Sequence, residues 1–332
     1  MPPPKPSLVR LNANENPYGP SPAAVAAMRD TFGIASRYPD EQIDELTADI
    51  AKLHGVSPDE VLLGCGSSEI LKLVASAYSS PSRSVVVADP TFESIVHYAK
   101  ASGADVVKVP LDAAYAHDLG RMAPAGAGVV YVCNPNNPTG SITPKASLHA
   151  FLDSVPASTM VLVDEAYHHY AASPDYESVA PLVKSKPNLV VARTFSKIYG
   201  LAGLRAGYAL ANRDVIKKLF SHKSWDTMNV MVLVAARASL ADTGFVAEGR
   251  RRNAATRAHV IERVRAMGYD VIPSDTNFVM IALRRDVKPV IAGMRTRGVE
   301  VGRLFPALPQ HLRVTIGTPE EMQRFLEVMS AL

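Results

Sequence analysis

The spacing of hydrophobic positions changes along the chain, and those changes divide it into elements. The first forty residues are polar and loop-rich through Leu11-Asn12-Ala13-Asn14-Glu15-Asn16-Pro17-Tyr18-Gly19-Pro20, with one short helix expected near 22–32. From about Glu41 the pattern becomes regular: Ile43, Leu46, Ile50 and Leu53 recur on one helix face, and Gly55 ends the run. Short, all-apolar, β-branched runs then alternate with helical ones. The strands expected are 61–63, 85–87, 106–109, 129–133, 160–163, 189–192 and 207–210, and helical segments fall at 67–78, 92–102, 144–152 and 176–184. Wholly apolar strands separated by helices imply a mainly parallel sheet buried on both faces.

The C-terminal third differs. Helical spacing dominates from Arg213 to Met267, followed by strand candidates at 277–283 and 312–316. The last helix announces its start: Thr318 is a capping hydroxyl, Pro319 takes the first helical position, and Glu321 completes a capping box. The pattern reads as one α/β domain followed by a smaller α+β domain. There is no internal repeat, and low complexity is confined to the proline-rich first six residues.

Composition narrows the function. The 332 residues are 47% hydrophobic, which suits a folded globular chain of about two domains. The net charge of +3 and the longest basic run, Arg250-Arg251-Arg252, leave little footprint for nucleic acid. No apolar stretch approaches the roughly 18–20 residues of a membrane span, so no membrane role is expected. The proline-rich start lacks the apolar core of a signal peptide. Two cysteines, Cys65 and Cys133, form no disulfide framework and fit a reducing, cytoplasmic setting. No metal-ligand spacing appears. The adjacent His168-His169 is expected to diverge from a loop or helix start rather than chelate.

Four features follow predicted strands, where open α/β sheets bind ligands. Gly64-Cys65-Gly66-Ser67-Ser68-Glu69 places glycines and free N–H groups at a helix start, which suits a phosphate. It equally reads as a helix cap, or as a dinucleotide fingerprint with Asp89, although Glu69 stands where a third glycine belongs. Asn134-Pro135-Asn136-Asn137-Pro138-Thr139-Gly140 is a turn of unusual length and order. Asp164-Glu165-Ala166-Tyr167 sets a carboxylate at a strand tip, either capping or facing a protonated heterocyclic nitrogen. Thr194-Phe195-Ser196-Lys197-Ile198-Tyr199-Gly200-Leu201-Ala202-Gly203-Leu204-Arg205 offers two hydroxyls, a lysine and an arginine. Apolar surroundings favour a lysine whose pKa falls far enough to act as a nucleophile.

A phosphate cradle, an acid for a ring nitrogen and an amine for an aldehyde make the toolkit of pyridoxal phosphate. In LNANENPYGP, RYPD, NPNNPTG, DEAY, TFSKIYGLAGLRAGY and LRVTIGT the chain resembles the fold-type I aminotransferases, most closely the histidinol-phosphate aminotransferase family. The similarity runs from about Leu11 to the C-terminus, and the chain is somewhat shorter than typical relatives. The resemblance implies an aspartate aminotransferase-like α/β fold, with a large domain at 37–237 and a small domain from 1–36 and 238–332. It implies that Lys197 condenses with the cofactor and shuttles the proton, and that Asp164 pairs with the pyridinium nitrogen. Asn137 and Tyr167 match the partners of the cofactor's phenolic oxygen, and Ser67, Ser68, Thr194, Ser196 and Arg205 match the phosphate set. Phe92 matches an aromatic ring against the cofactor face, or is ordinary core. Tyr38 matches a tyrosine reaching the phosphate from a partner subunit, which implies a homodimer. Arg313 and Arg303 match anion ligands for the substrate, and Tyr18 matches a substrate-pocket residue. Ile198-Tyr199 and His168-His169 depart from the family pattern close to the site, where they could alter substrate choice.

The implied activity is transamination between histidinol phosphate and 2-oxoglutarate. Aromatic amino acids, or decarboxylation of a phosphorylated amino acid, are the alternatives within the cofactor class. An NAD-linked dehydrogenase leaves Lys197, Asp164 and the Asn-Pro turn unexplained. A non-catalytic relative keeping the fold is disfavoured by Lys197, Asp164 and Arg205 occurring together.

Overall fold

The computed structural model describes residues 8–123 and 126–332; the proline-rich residues 1–6 lie outside them. In chain order the strands are β1 (Val9–Leu11), β2 (Val61–Gly64), β3 (Val85–Asp89), β4 (Val106–Pro110), β5 (Val129–Cys133) and β6 (Met160–Asp164). They continue with β7 (Leu189–Thr194), β8 (Gly207–Ala211), β9 (Asp270–Ile272), β10 (Phe278–Ala282), β11 (Val299–Val301) and β12 (His311–Thr315). The helices are α1 (Pro22–Asp30), α2 (Asp40–His54), α3 (Ser67–Tyr78), α4 (Ser94–Ala101) and α5 (Lys145–Ser154). After them come α6 (Arg213–Phe220), α7 (Val230–Ala241), α8 (Thr243–Ala266), α9 (Val287–Thr296) and α10 (Pro319–Ser330).

Seven strands form the main sheet in the order β2-β8-β7-β6-β5-β3-β4. Only β8 runs against its neighbours; the other pairs are parallel. Strand alternation divides the core between the two faces. Val161 and Val163 of β6 pack with Leu46, Ile50, Leu148 and Val232 on one side. Met160 and Leu162 pack with Ile70, Leu71 and Ile95 on the other. Each such side chain contributes roughly 1.5–3 kcal/mol by leaving water, so both faces must stay covered.

The register then fixes where chemistry can occur. Cys133 lies opposite Asp164, and Asp164 opposite Ala192, so the loops after β5, β6 and β7 leave from one edge. Gly64 pairs with Gly207, which itself pairs with Thr194, and this brings the β2–α3 turn to the same edge. All four polar loops expected from sequence therefore face one another.

The C-terminal part builds a three-stranded antiparallel sheet, β12-β10-β9, covered by α8, α9 and α10. β1 pairs in parallel with β11, Val9 opposite Val299. Two elements end as their sequences foretell. Gly55 closes α2 at φ 61°, with its N–H on the Ala51 and Lys52 carbonyls. The Thr318 hydroxyl accepts from the Glu321 N–H at 3.3 Å, and the Glu321 carboxylate accepts from the Thr318 N–H at 2.8 Å.

Two expectations need correction, and three short strands had none of their own. The helical run at 176–184 is only a short 3-10 turn, Ala180–Lys184, because Pro181 and the packing of Val179 and Val183 permit no longer helix. β1, β9 and β11 are three-residue strands, too short to show a period. The two imidazoles of His168 and His169 do not diverge; their ring centres lie 3.7 Å apart on a 3-10 turn. Among the described residues no single helix is long and apolar enough to cross a membrane.

Because α10 covers the C-terminal core through Met322, Phe325 and Met329, its cap should register in global stability. Thr318→Ala is expected to cost about 1 kcal/mol, read from denaturant unfolding at unchanged m-value. No measurable loss would mean the cap hydroxyl is replaceable by water.

Candidate active site

The turn from β2 into α3 makes the first wall. Gly66 is the N-cap of α3 at φ 80°, and a Cβ there would lie 2.3 Å from Arg205 Nη2. Glycine is what lets the guanidinium lie against the helix start. Arg205 Nη1 donates to the Ala202 carbonyl at 2.9 Å and to Ser196 Oγ at 3.3 Å. Glu69 Oε2 accepts the Cys65 N–H at 2.6 Å, so the residue that breaks the dinucleotide fingerprint closes this turn instead. The hydroxyls of Ser67, Ser68, Thr194 and Ser196 open onto the same space as Arg205. Hydroxyls, a guanidinium and a helix N-terminus together form a set of donors for a phosphate dianion.

Asp164 ends β6 in a wholly buried position. Its carboxylate accepts from Tyr131 Oη at 2.9 Å and from the Ala166 N–H at 3.1 Å. Burial outweighs these two donors and raises the carboxyl from 3.8 to about 6. The positive charge of Lys197 also lowers it, but not enough to offset burial. Lys197 stands nearby, its Nζ donating to the carbonyls of Asn14 at 3.1 Å and Ala13 at 3.4 Å, and 5.5 Å from the Tyr167 ring centre. Desolvation of the ammonium, followed by the positive charge of Arg313, lowers it to about 8.

A third set ties the N-terminal loop to the C-terminal sheet. The Tyr167 hydroxyl accepts from Asn14 Nδ2 at 3.0 Å and Asn137 Nδ2 at 3.4 Å. Arg313, buried on β12, donates to Asn137 Oδ1 at 2.7 Å and to the Asn12 carbonyl at 2.6 Å, while its Nε–H has no partner among the described residues. Burial lowers the Arg313 pKa, and the charge of Arg303 adds to that. The Arg303 and Arg313 guanidiniums lie 4.5 and 5.2 Å from the ring centre of Phe305, so the segment between them does fold back.

All the cofactor and substrate residues that the resemblance implies, except Tyr18 and Tyr38, line one cavity of about 370 Å³. Phe92 enters it from the loop after β3. Tyr18 is not brought there; its ring lies 5.0 Å from the Arg252 guanidinium beside a separate crevice. Tyr38 is 78% exposed and also stands outside the cavity. Several participants had no sequence reading of their own: Asn14, Glu15, Glu93 and Phe305 in the lining, and Tyr131 behind Asp164. Asn14 and Glu15 sit within a conspicuous polar string, whereas Glu93 and Tyr131 carry no local signal.

The departures from the family pattern do not reach this space. Ile198, Tyr199, His168 and His169 are absent from the lining and pack behind it. There Arg193 pairs with Glu165 at 2.7 Å, both buried, and Arg193 Nη1 donates to His168 Nε2 at 2.5 Å. That contact requires a neutral imidazole, and burial with the Arg193 charge holds the pKa of His168 well below its ordinary value. Tyr199 Oη meets His169 Nε2 at 3.1 Å. The network braces the residues flanking Asp164 and Thr194.

Fold and cavity together define a pyridoxal phosphate enzyme of the aspartate aminotransferase-like class. A family model for aminotransferase class I and II matches residues 6–329, and the chain belongs to that family. It is 40% identical to the histidinol-phosphate aminotransferase of Symbiobacterium thermophilum, over 98% of this chain and 90% of that protein. Among solved structures it superposes with TM-score 0.94 on a putative histidinol-phosphate aminotransferase from Erwinia carotovora atroseptica, 34% identical over 98% and 97% of the two chains. It superposes with TM-score 0.90 on the Sinorhizobium meliloti histidinol-phosphate aminotransferase in complex with pyridoxal-5'-phosphate, 28% identical over 97% and 90%. The protein is a pyridoxal phosphate-dependent aminotransferase.

The burial of Asp164 gives a signed test. Below about pH 3 its carboxyl is protonated whether folded or unfolded. As pH rises to about 6 the unfolded chain ionises first, so the apoenzyme loses stability, by about 3 kcal/mol at the upper bound. Asp164→Asn should therefore stabilise the apoenzyme above pH 6, leave it nearly unchanged at pH 3, and slow the holoenzyme severely. Equal unfolding midpoints for the two apoproteins at pH 7 would contradict this.

Proposed function

We propose that this enzyme moves an amino group between L-histidinol phosphate and 2-oxoglutarate. The observation that carries the reading is the pair Arg303 and Arg313, two guanidiniums on one phenyl ring in the cavity that holds Lys197. Histidinol phosphate has no α-carboxylate and offers a phosphate at that end. A dianion gains from a second guanidinium, whereas a carboxylate is served by one. Full-length similarity to histidinol-phosphate aminotransferases supports the same substrate.

When bound, pyridoxal phosphate supplies an aldehyde for the amine and an electron sink. Ser67, Ser68, Thr194, Ser196 and Arg205 would hold its phosphate, Asn137 and Tyr167 its phenolic oxygen, and Phe92 its face. Asp164 would hold a proton on the ring nitrogen, since a buried anion favours the charged ring. Lys197 Nζ takes the proton from the substrate Cα; a pKa of about 8 keeps a working fraction of free amine near neutrality. Arg313 orients the substrate anion so that the Cα–H faces that amine.

The same reading makes the active unit a homodimer in the cytoplasm, with large domain 37–237 and small domain 1–36 plus 238–332. Tyr38, exposed beside Phe32 and Ile34, would complete the partner's phosphate site. Mixing Tyr38→Ala subunits with Lys197→Ala subunits should restore activity to about a quarter of the sites, because half the dimers carry one intact site. No recovery on mixing would place Tyr38 outside the site.

The substrate is tested by half-reactions followed through the cofactor's absorbance. Arg303→Ala should raise the KM for histidinol phosphate about tenfold or more, while the glutamate half-reaction changes little. Equal losses with both donors, or a wild-type preference for phenylalanine or tyrosine, would overturn the substrate and leave the transaminase intact.

A further inference from the structure

The loop that brings Phe92 to the cavity also brings Glu93, a residue with no part in the reading above. Glu93 Oε2 lies 2.5 Å from Arg303 Nη2, across 210 residues of sequence. The rest of Arg303 is held by the chain: Nη1 donates to the Leu304 carbonyl at 3.0 Å, and the guanidinium covers Phe305. Arg313 is engaged differently, with its Nη atoms on Asn137 and Asn12 and its Nε–H without a partner among the described residues. One arginine of the pair is thus fixed in the wall, and the other is matched to a carboxylate at the mouth.

We propose that Glu93 is a specificity-determining residue, an alternate partner for Arg303 that a phosphate displaces and a monocarboxylate does not. The proposal rests on reading Arg303 and Arg313 as the substrate-anion pocket. A transaminase must seat its two donors in turn, and under that reading they differ in charge at this end. With both guanidiniums free, a carboxylate on Arg313 would leave Arg303 without a counter-ion. With Glu93 in place, Arg303 stays paired while the carboxylate is bound, and changes partner when a phosphate arrives. The pair is suited to such an exchange because it stands in solvent: the side chains of Arg303 and Glu93 are 54% and 59% exposed. Ion pairs of that kind are weak, so a dianion reaching both guanidiniums outcompetes the carboxylate. A single negative charge already satisfied by Arg313 gains too little to do so.

The test uses holoenzyme, with its cofactor phosphate site filled, and inorganic phosphate and acetate as competitive inhibitors of the glutamate half-reaction. Glu93→Gln should strengthen inhibition by phosphate about two- to fivefold, the scale of an exposed ion pair. Acetate inhibition and kcat should stay unchanged. In an Arg303→Ala background the gain for phosphate should vanish. Four results would overturn the proposal: unchanged phosphate inhibition, equal strengthening of both anions, persistence of the gain without Arg303, or a fall in kcat, which would mean that Glu93 shapes the site. If histidinol phosphate proves no substrate while Glu93→Gln still behaves as expected, the substrate assignment fails and the exchange of partners stands.

Discussion

A carboxylate at the end of a fully buried parallel strand is an arrangement that water alone cannot relieve. Asp164 occupies such a place, and two donors, Tyr131 and the Ala166 N–H, do not return it to its ordinary acidity. The rest of the site makes sense as the surroundings of the cation that completes it. The register that sets Asp164 at the sheet edge sets the phosphate cradle, the Asn-Pro turn and Lys197 there too. The buried Glu165–Arg193 pair, one residue from Asp164 on β6 and one from Thr194 on β7, braces that edge from behind. Replacing one member of such a pair leaves an uncompensated charge in the interior, so the geometry around Asp164 is held by electrostatics as well as by packing.

Much of the fold was legible because the central strands are apolar along most of their length, whereas the edge strand β4 carries Lys108. Val129–Cys133 reads as a strand without help from its neighbours, and the structure leaves those bounds unchanged. β6 and β7 extend past their apolar runs by Asp164 and by Arg193-Thr194, since hydrogen bonding continues where hydropathy stops. Elements stabilised by distant partners were not legible. β1 exists because Val9–Leu11 meets Val299–Val301, and three residues have no period to betray them. The close His168–His169 pair likewise depends on burial and on Arg193, twenty-five residues away, which together keep His168 neutral enough to lie against a second imidazole.

The site divides in the same way. Residues in dense polar strings after strands, such as Ser67, Asn137, Asp164 and Lys197, converge as their loops suggest. Glu93 and Phe305 sit in the cavity with no motif of their own; only the fold reveals them. Asn14 is intermediate: its string is conspicuous, but the hydrogen bond to Tyr167 depends on a loop crossing 153 residues of sequence. Tyr18 and Tyr38 show the opposite case, positions in recognisable strings that the fold of the chain does not bring to the cavity.

The pairing of β1 with β11, Val9 opposite Val299, and the Asn14 N–H bond to Thr315 Oγ1 at 2.9 Å, across 301 residues, tie the start of the chain to its last two strands. The loop after β1 supplies the carbonyls that receive Lys197 and Arg313. During synthesis the lysine therefore leaves the ribosome more than a hundred residues before β12, which carries Arg313. A nascent chain can build its seven-stranded sheet and display that amine while the pocket around it is still open to water. Closure of the pocket is thus a late event in the protein's biogenesis, timed by the emergence of its last strand rather than by the completion of its largest sheet.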